Sequence, residues 1–167
     1  MDLFYTDQEA IQIIEELSEQ EVCALPYYEE EEAYQWIFKI CKVEPIARKN
    51  ISDFDLVHKL LDSVGLGRRN LWEVKQEEAA KILFYVLSQS LAYSSITVLQ
   101  EKNLAIPVMQ HILCLFSSRP RYFTNGRFNS HPFCLSSWDP CSSHTYDTGL
   151  LLLDEQRIGV LWATDED

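Results

Sequence analysis

No lysine or arginine occurs before Lys39, no apolar run approaches the roughly 18 residues that a membrane span needs, and the 167 residues hold only 5 glycines and 6 prolines. With so little glycine and proline there is no Gly/Ser tract, Pro-rich linker or repeat, and the chain reads as a single domain over residues 1–167. The first twenty residues, MDLFYTDQEAIQIIEELSEQ, carry acids throughout and hold no uninterrupted apolar stretch of signal-peptide length. The expected compartment is the cytoplasm. A phosphate-binding loop, a dinucleotide fingerprint, an HExxH pair and a nucleophile elbow are also missing, which weakens an enzymatic reading.

The five cysteines, Cys23, Cys41, Cys114, Cys134 and Cys141, are an odd number in a chain long enough to fold without disulfides, and are expected as mostly buried thiols. Charge is far from evenly spread. Of the net −12, residues 1–32 supply eleven acids and no base, while residues 33–167 hold fifteen acids against fourteen bases. Such a field repels nucleic-acid backbones and anionic lipid and attracts a cationic partner.

The first two-thirds of the chain read as helical. Thr6 with Glu9 forms a capping box before Ile11, Ile14 and Leu17, predicting a helix from about Asp7 to Gln20. A second is predicted from the glutamates of PYYEEEEAYQW through Ala33, Trp36, Ile37, Ile40 and Cys41, with Lys39 and Lys42 in its last turn. Ser52 and Asp55 cap a third, striped by Phe54, Val57, Leu60, Leu61 and Val64 and closed by Gly65 and Gly67. A fourth runs from about Trp72 to Ala92, and a fifth follows Ile106 with Pro107 in its first position.

After Ser117 the pattern becomes β. RPRYFTNGRF sets aromatics around an Asn-Gly pair, predicting strands near Arg121–Phe123 and Arg127–Phe128 joined as a hairpin. Leu150–Leu153 and Ile158–Trp162, separated by a polar turn, predict a second hairpin, its first strand buried on both faces because it does not alternate. Gly159 inside a strand signals a bulge or a close backbone approach. The expected fold class is α+β: an N-terminal bundle of about five helices (about 6–117) packed on a small C-terminal antiparallel sheet (about 119–163).

Several groups could carry chemistry. His131, Cys134, Cys141 and His144 hold tetrahedral zinc-ligand types at H-x2-C-x6-C-x2-H, although the six-residue middle gap is shorter than structural zinc sites use. The same residues could serve Cys/His catalysis, with Cys134 or Cys141 as nucleophile, His131 or His144 as base and Asp139 or Asp147 as orienter. Asp139, Asp147 and Asp154 near strand ends fit a carboxylate site or ordinary turn capping. DLVHKLLDSVGLGRRNLWEV has the rhythm of a helix-turn-helix with Arg68 and Arg69 toward phosphate, against the net charge. Four adjacent glutamates exceed what capping a helix requires, because successive residues turn by about 100° and the like charges repel.

The final segment GLLLLDEQRIGVLWATDED, with Trp162 and the acidic Asp165, Glu166 and Asp167, together with the acidic composition, resembles the bacterial immunity proteins of contact-dependent growth-inhibition and other polymorphic toxin systems. The resemblance covers about the last third of the chain and rests on no single diagnostic motif. It implies a cytoplasmic, non-enzymatic protein without cofactors that binds a basic cognate toxin domain, such as a nuclease, and blocks its active site. Complementary charge and aromatic anchors would serve that task, so the expected partner-binding residues are Tyr27, Tyr28, Glu29, Glu30, Glu31, Glu32 and Tyr34, with Asp165, Glu166 and Asp167. An enzyme, Cys/His-dependent or zinc-binding, centred on residues 131–144 is the alternative, and a nucleic-acid-mimicking adaptor would share the acidic surface.

Overall fold

A computed structural model of the chain describes residues 4–6, 34–67, 69–101 and 103–166, the first three by their backbone alone. In chain order the elements are β1 (Phe4–Thr6), β2 (Gln35–Val43), α1 (Pro45–Asn50), α2 (Asp53–Ser63), β3 (Trp72–Val74), α3 (Gln76–Ser88), α4 (Val98–Glu101), α5 (Ala105–Leu115), β4 (Arg121–Thr124), β5 (Gly126–Ser130), β6 (Phe133–Trp138), β7 (Tyr146–Leu153) and β8 (Arg157–Asp165). Six of the strands form one antiparallel sheet in the order β1-β2-β8-β7-β4-β3, and β5 and β6 form a separate ribbon.

This corrects the expected fold class. The helices are not an N-terminal bundle set on a C-terminal sheet; the sheet takes strands from both ends of the chain, and helices cover both of its faces. The reason lies in β7, β8 and β2, which are apolar on both sides. Leu150, Leu152, Leu161, Ala163 and Trp36 meet Ile82, Leu83 and Val86 of α3 and Val108 and Ile112 of α5. Their alternates Leu151, Leu153, Val160, Trp162, Cys41 and Val43 meet Leu56, Val57, Leu60 and Leu61 of α2. Each such side chain contributes roughly 1.5–3 kcal/mol when fully buried, so a sheet apolar on both faces needs a layer on each.

The segment expected as the second helix is the long strand β2 along its described part. Trp36, Ile37, Ile40 and Cys41 fit three-to-four spacing, but QWIFKICKV is also rich in aromatic and β-branched residues and pairs along β8 from Gln35↔Thr164 to Lys42↔Arg157. Trp72–Val74, expected to open the fourth helix, is instead edge strand β3 on β4, and α3 starts only after the Lys75 N-cap with Glu77 and Glu78 in its first turn. The helix expected from Asp7 to Gln20 lies outside the described residues.

The Asn125-Gly126 pair does not turn a hairpin between β4 and β5. β4 pairs with β3 and β7, β5 pairs with β6, and Asn125 is the buried corner where the chain leaves the sheet. The departing ribbon folds onto α3, with Phe128 and Phe133 stacked 5.0 Å apart and both edge-on to Tyr85. The β7–β8 hairpin forms as expected, Leu153 opposite Ile158 and Leu150 opposite Leu161. At Gly159 the second expected alternative holds: a Cβ there would sit 2.8 Å from the Phe116 ring, a close approach.

Candidate partner-binding site

Ser52 accepts a hydrogen bond from Asp55 N (3.1 Å) and so starts α2 as its sequence predicts. The inward stripe is Leu56, Val57, Leu60 and Leu61, which leaves Phe54 and His58, one turn apart, on the flank of the helix. Their rings stack at 5.6 Å. Phe54 meets Phe123 edge-on beneath it and is still 44% exposed. His58 bridges the helix to the next loop, with Nδ1 2.7 Å from Phe54 O and Nε2 3.1 Å from Arg69 O.

Across from this aromatic ledge two loops are tied together. Gly67 N donates to Cys141 O (2.7 Å), Arg69 Nε to Pro140 O (2.9 Å) and Asn70 N to Asp139 Oδ2 (2.9 Å). The result is an open groove of about 620 Å³ lined by Phe54, Asp55, His58, Arg69, Asn70 and Asp139. Among the described residues the Asp55 carboxylate has no hydrogen-bond or ion-pair partner, and the terminal guanidinium nitrogens of Arg69 have none either. Its described lining offers an aromatic ring, two carboxylates, an imidazole, an amide and a guanidinium.

Of the residues expected to contact a partner, Tyr27, Tyr28, Glu29, Glu30, Glu31, Glu32 and Asp167 lie outside the described residues. Tyr34 is 8% exposed and its hydroxyl donates to Val86 O, which also accepts from Trp36 Nε1 at 2.8 Å. Tyr34 is placed in the core, edge-to-face with Trp36 at 5.5 Å. Asp165 is 3% exposed; its Oδ2 accepts from Ala92 N (2.8 Å) and its Oδ1 from Glu166 N (2.9 Å), so it fastens the loop after α3 to the end of β8. Glu166 is exposed and accepts from the hydroxyl and the N–H of Thr145, with His144 Nδ1 2.8 Å from its other oxygen. The Thr145 hydroxyl first, then His144, hold its carboxyl below the ordinary range.

The His/Cys segment does not converge. His131 is exposed in the β5–β6 turn, Cys134 lies within β6 opposite Asn129, Cys141 is buried, and His144 faces Glu166. Among the described residues no group of three or more His, Cys, Asp or Glu side chains could hold a metal ion. Burial first, then the Asp147 and Asp139 carboxylates, push the Cys141 thiol up to about 12, the opposite of what a nucleophilic cysteine needs.

Asp147 is fully buried and accepts from Cys141 N, Ser142 N, Ser142 Oγ, Trp162 Nε1 and Asn125 Nδ2. Asp154 is likewise buried, and its Oδ1 accepts from Gln156 N and Arg157 N. Both carboxylates brace turns. The helix-turn-helix reading also fails, since β3 follows α2.

Sequence reading placed Phe54 on the buried stripe and gave Asp55 only a capping role. The signal available was the i, i+4 pair Phe54/His58, offset from the true stripe; nothing local announces that Asp139, 69 residues from Asn70, closes the groove. Comparison of the chain with protein-family models, with curated proteins and with solved structures found no match.

Proposed function

We propose that this chain is a cytoplasmic immunity protein that binds and neutralises a basic toxin domain, a nuclease being the first class to try. The observation that carries the reading is the charge asymmetry: eleven acids and no base in residues 1–32, against fifteen acids and fourteen bases in the rest. Such a body cannot offset the surplus. Among the described residues four of its arginines are also engaged at home, Arg48 with Asp53, Arg121 with Asp53 and Glu73, Arg119 with Glu155 and Arg127 over the Trp72 ring at 4.1 Å. An excess negative field of this kind speeds encounter with a cationic surface and disfavours other partners. No helix among the described residues is long and apolar enough to cross a membrane.

The test is co-expression with the basic C-terminal domain of a large reading frame encoded beside it. Growth rescue, a stable one-to-one complex and association that slows about tenfold or more between low and physiological salt are expected for charge-steered inhibition. Failure to bind or rescue, or turnover of a small substrate by the purified chain, would refute it.

A further inference from the structure

The groove between α2 and the paired loops at residues 67, 69–70 and 139–141 has an exposed aromatic floor, an acid with no partner among the described residues and an arginine bonded through Nε at its rim. We infer that it is a docking site for a protein segment that presents an arginine or lysine side chain, with that cation held over Phe54 between Asp55 and Asp139. The inference rests on the inhibitor reading for the nature of the partner, and it moves the contact from the glutamate-rich stretch to the folded body.

Three observations combine. First, Phe54 keeps 44% of its surface in water although its ring meets Phe123 at 75° and stacks with His58. The ring is thus held rigid by its neighbours while part of it stays open, the geometry that accepts a planar cation. Second, Asp55 has no partner among the described residues, and Asp139 uses only Oδ2, on Asn70 N, leaving Oδ1 for an incoming donor. The other acids around α2 are committed: Asp53 binds both Arg48 (2.5 Å) and Arg121 (2.6 Å), and Glu73 takes Arg121 in a two-pronged pair at 2.8 and 2.9 Å. Third, Arg69 Nε is bonded to Pro140 O and, among the described residues, its terminal nitrogens have no partner, so they can donate to backbone carbonyls of the incoming segment. An anionic ligand would meet two carboxylates for one arginine.

A titration of the full chain with N-acetyl-arginine amide at low salt, followed by NMR, tests this. Saturable shifts centred on Phe54, Asp55 and Asp139 are expected, with Kd weakened at least fivefold by Asp55→Asn and responses severalfold smaller to the N-acetyl-norleucine and N-acetyl-glutamate amides. Equal responses to the neutral or acidic amide, shifts centred elsewhere, or an unchanged Kd in Asp55→Asn would overturn it. Phe54→Ala should also weaken binding, but the ring packs on Phe123, so Asp55→Asn is the deciding variant. A toxin domain bound equally well by Asp55→Asn removes the groove and leaves the inhibitor reading. Arginine-amide binding by a chain that captures no basic toxin domain removes the inhibitor reading and leaves the groove.

Discussion

Asp147 and Asp55 are the same residue type within one chain, and their surroundings give them opposite roles. Asp147 sits at the corner where β4 turns away from the sheet, fully buried and met by five donor groups from Asn125, Cys141, Ser142 and Trp162. Asp55 sits at the edge of the groove, exposed, and among the described residues no donor meets it. A buried carboxylate is tolerable only when its lone pairs are occupied, and once occupied it is unavailable to a ligand. An exposed one costs the fold little and remains free to bind. Stability should therefore be concentrated at the corner and binding at the groove.

The largest effect tests the corner. Asp147→Ala leaves five donors facing an empty space and should cost roughly 3–5 kcal/mol in chemical denaturation. Asp147→Asn should recover little of this, because its amide N–H groups point at donors. A loss below about 1 kcal/mol for the alanine variant would mean that the corner is not the keystone it looks like.

Next to it, Gly149→Ala probes how closely β7 and β8 approach. A Cβ at that position would lie 2.2 Å from Leu161 O and 2.6 Å from Trp162 Cα. Because those atoms are backbone, no rotamer change relieves the clash, and a loss of about 3 kcal/mol is expected by thermal or urea unfolding. The same substitution at Gly67, where the nearest atom would be 3.4 Å away, should be far milder.

The two regions were also unequally legible. The start of α2 could be read because its determinants are neighbours: Ser52 caps Asp55 three residues on, and the Leu56–Leu61 stripe repeats within two turns. The β7–β8 hairpin could be read for the same reason, both strands flanking a short polar turn. β2 could not, since what makes Trp36–Val43 a strand is β8, over a hundred residues away, and tertiary pairing overrides a helix-like spacing. The Asn-Gly pair misled because Asn125 spends its amide on Asp139 O and Asp147 instead of on a local turn. The groove depends on contacts between residues 69–70 and 139–140 and was invisible to any window.

A third group of carboxylates belongs to the half-buried network of Arg48, Asp53, Arg121 and Glu73, which ties α1 and α2 to β3 and β4. Hydrogen bonding to Arg121 lowers the Glu73 carboxyl from its ordinary value. With a folded pKa below the unfolded one, the contribution is present above about pH 4.5 and is lost as pH falls through the folded value. The pair is open to solvent, so Glu73→Gln should destabilise by under about 1 kcal/mol at pH 7, and the gap from wild type should close in unfolding experiments at progressively lower pH. A gap that persists unchanged at pH 3 would show that the contact works through packing rather than charge.

The smallest expected change in stability is the sharpest test of the contrast. Asp55→Asn removes a charge that no group in the described structure uses, and its remaining role is a place in the first turn of α2, where an acid adds about 0.3–1 kcal/mol through the helix dipole. Unfolding should therefore shift by no more than about 0.5 kcal/mol, since solvent screens that term at an exposed site. The substitution matters to binding for the reason it does not matter to folding: an unpaired carboxylate beside an open aromatic ring keeps its full interaction energy for a cation from outside. If Asp55→Asn instead lost stability on the scale of Asp147→Ala, Asp55 would have to be serving the fold, and the division of labour between corner and groove would collapse with it.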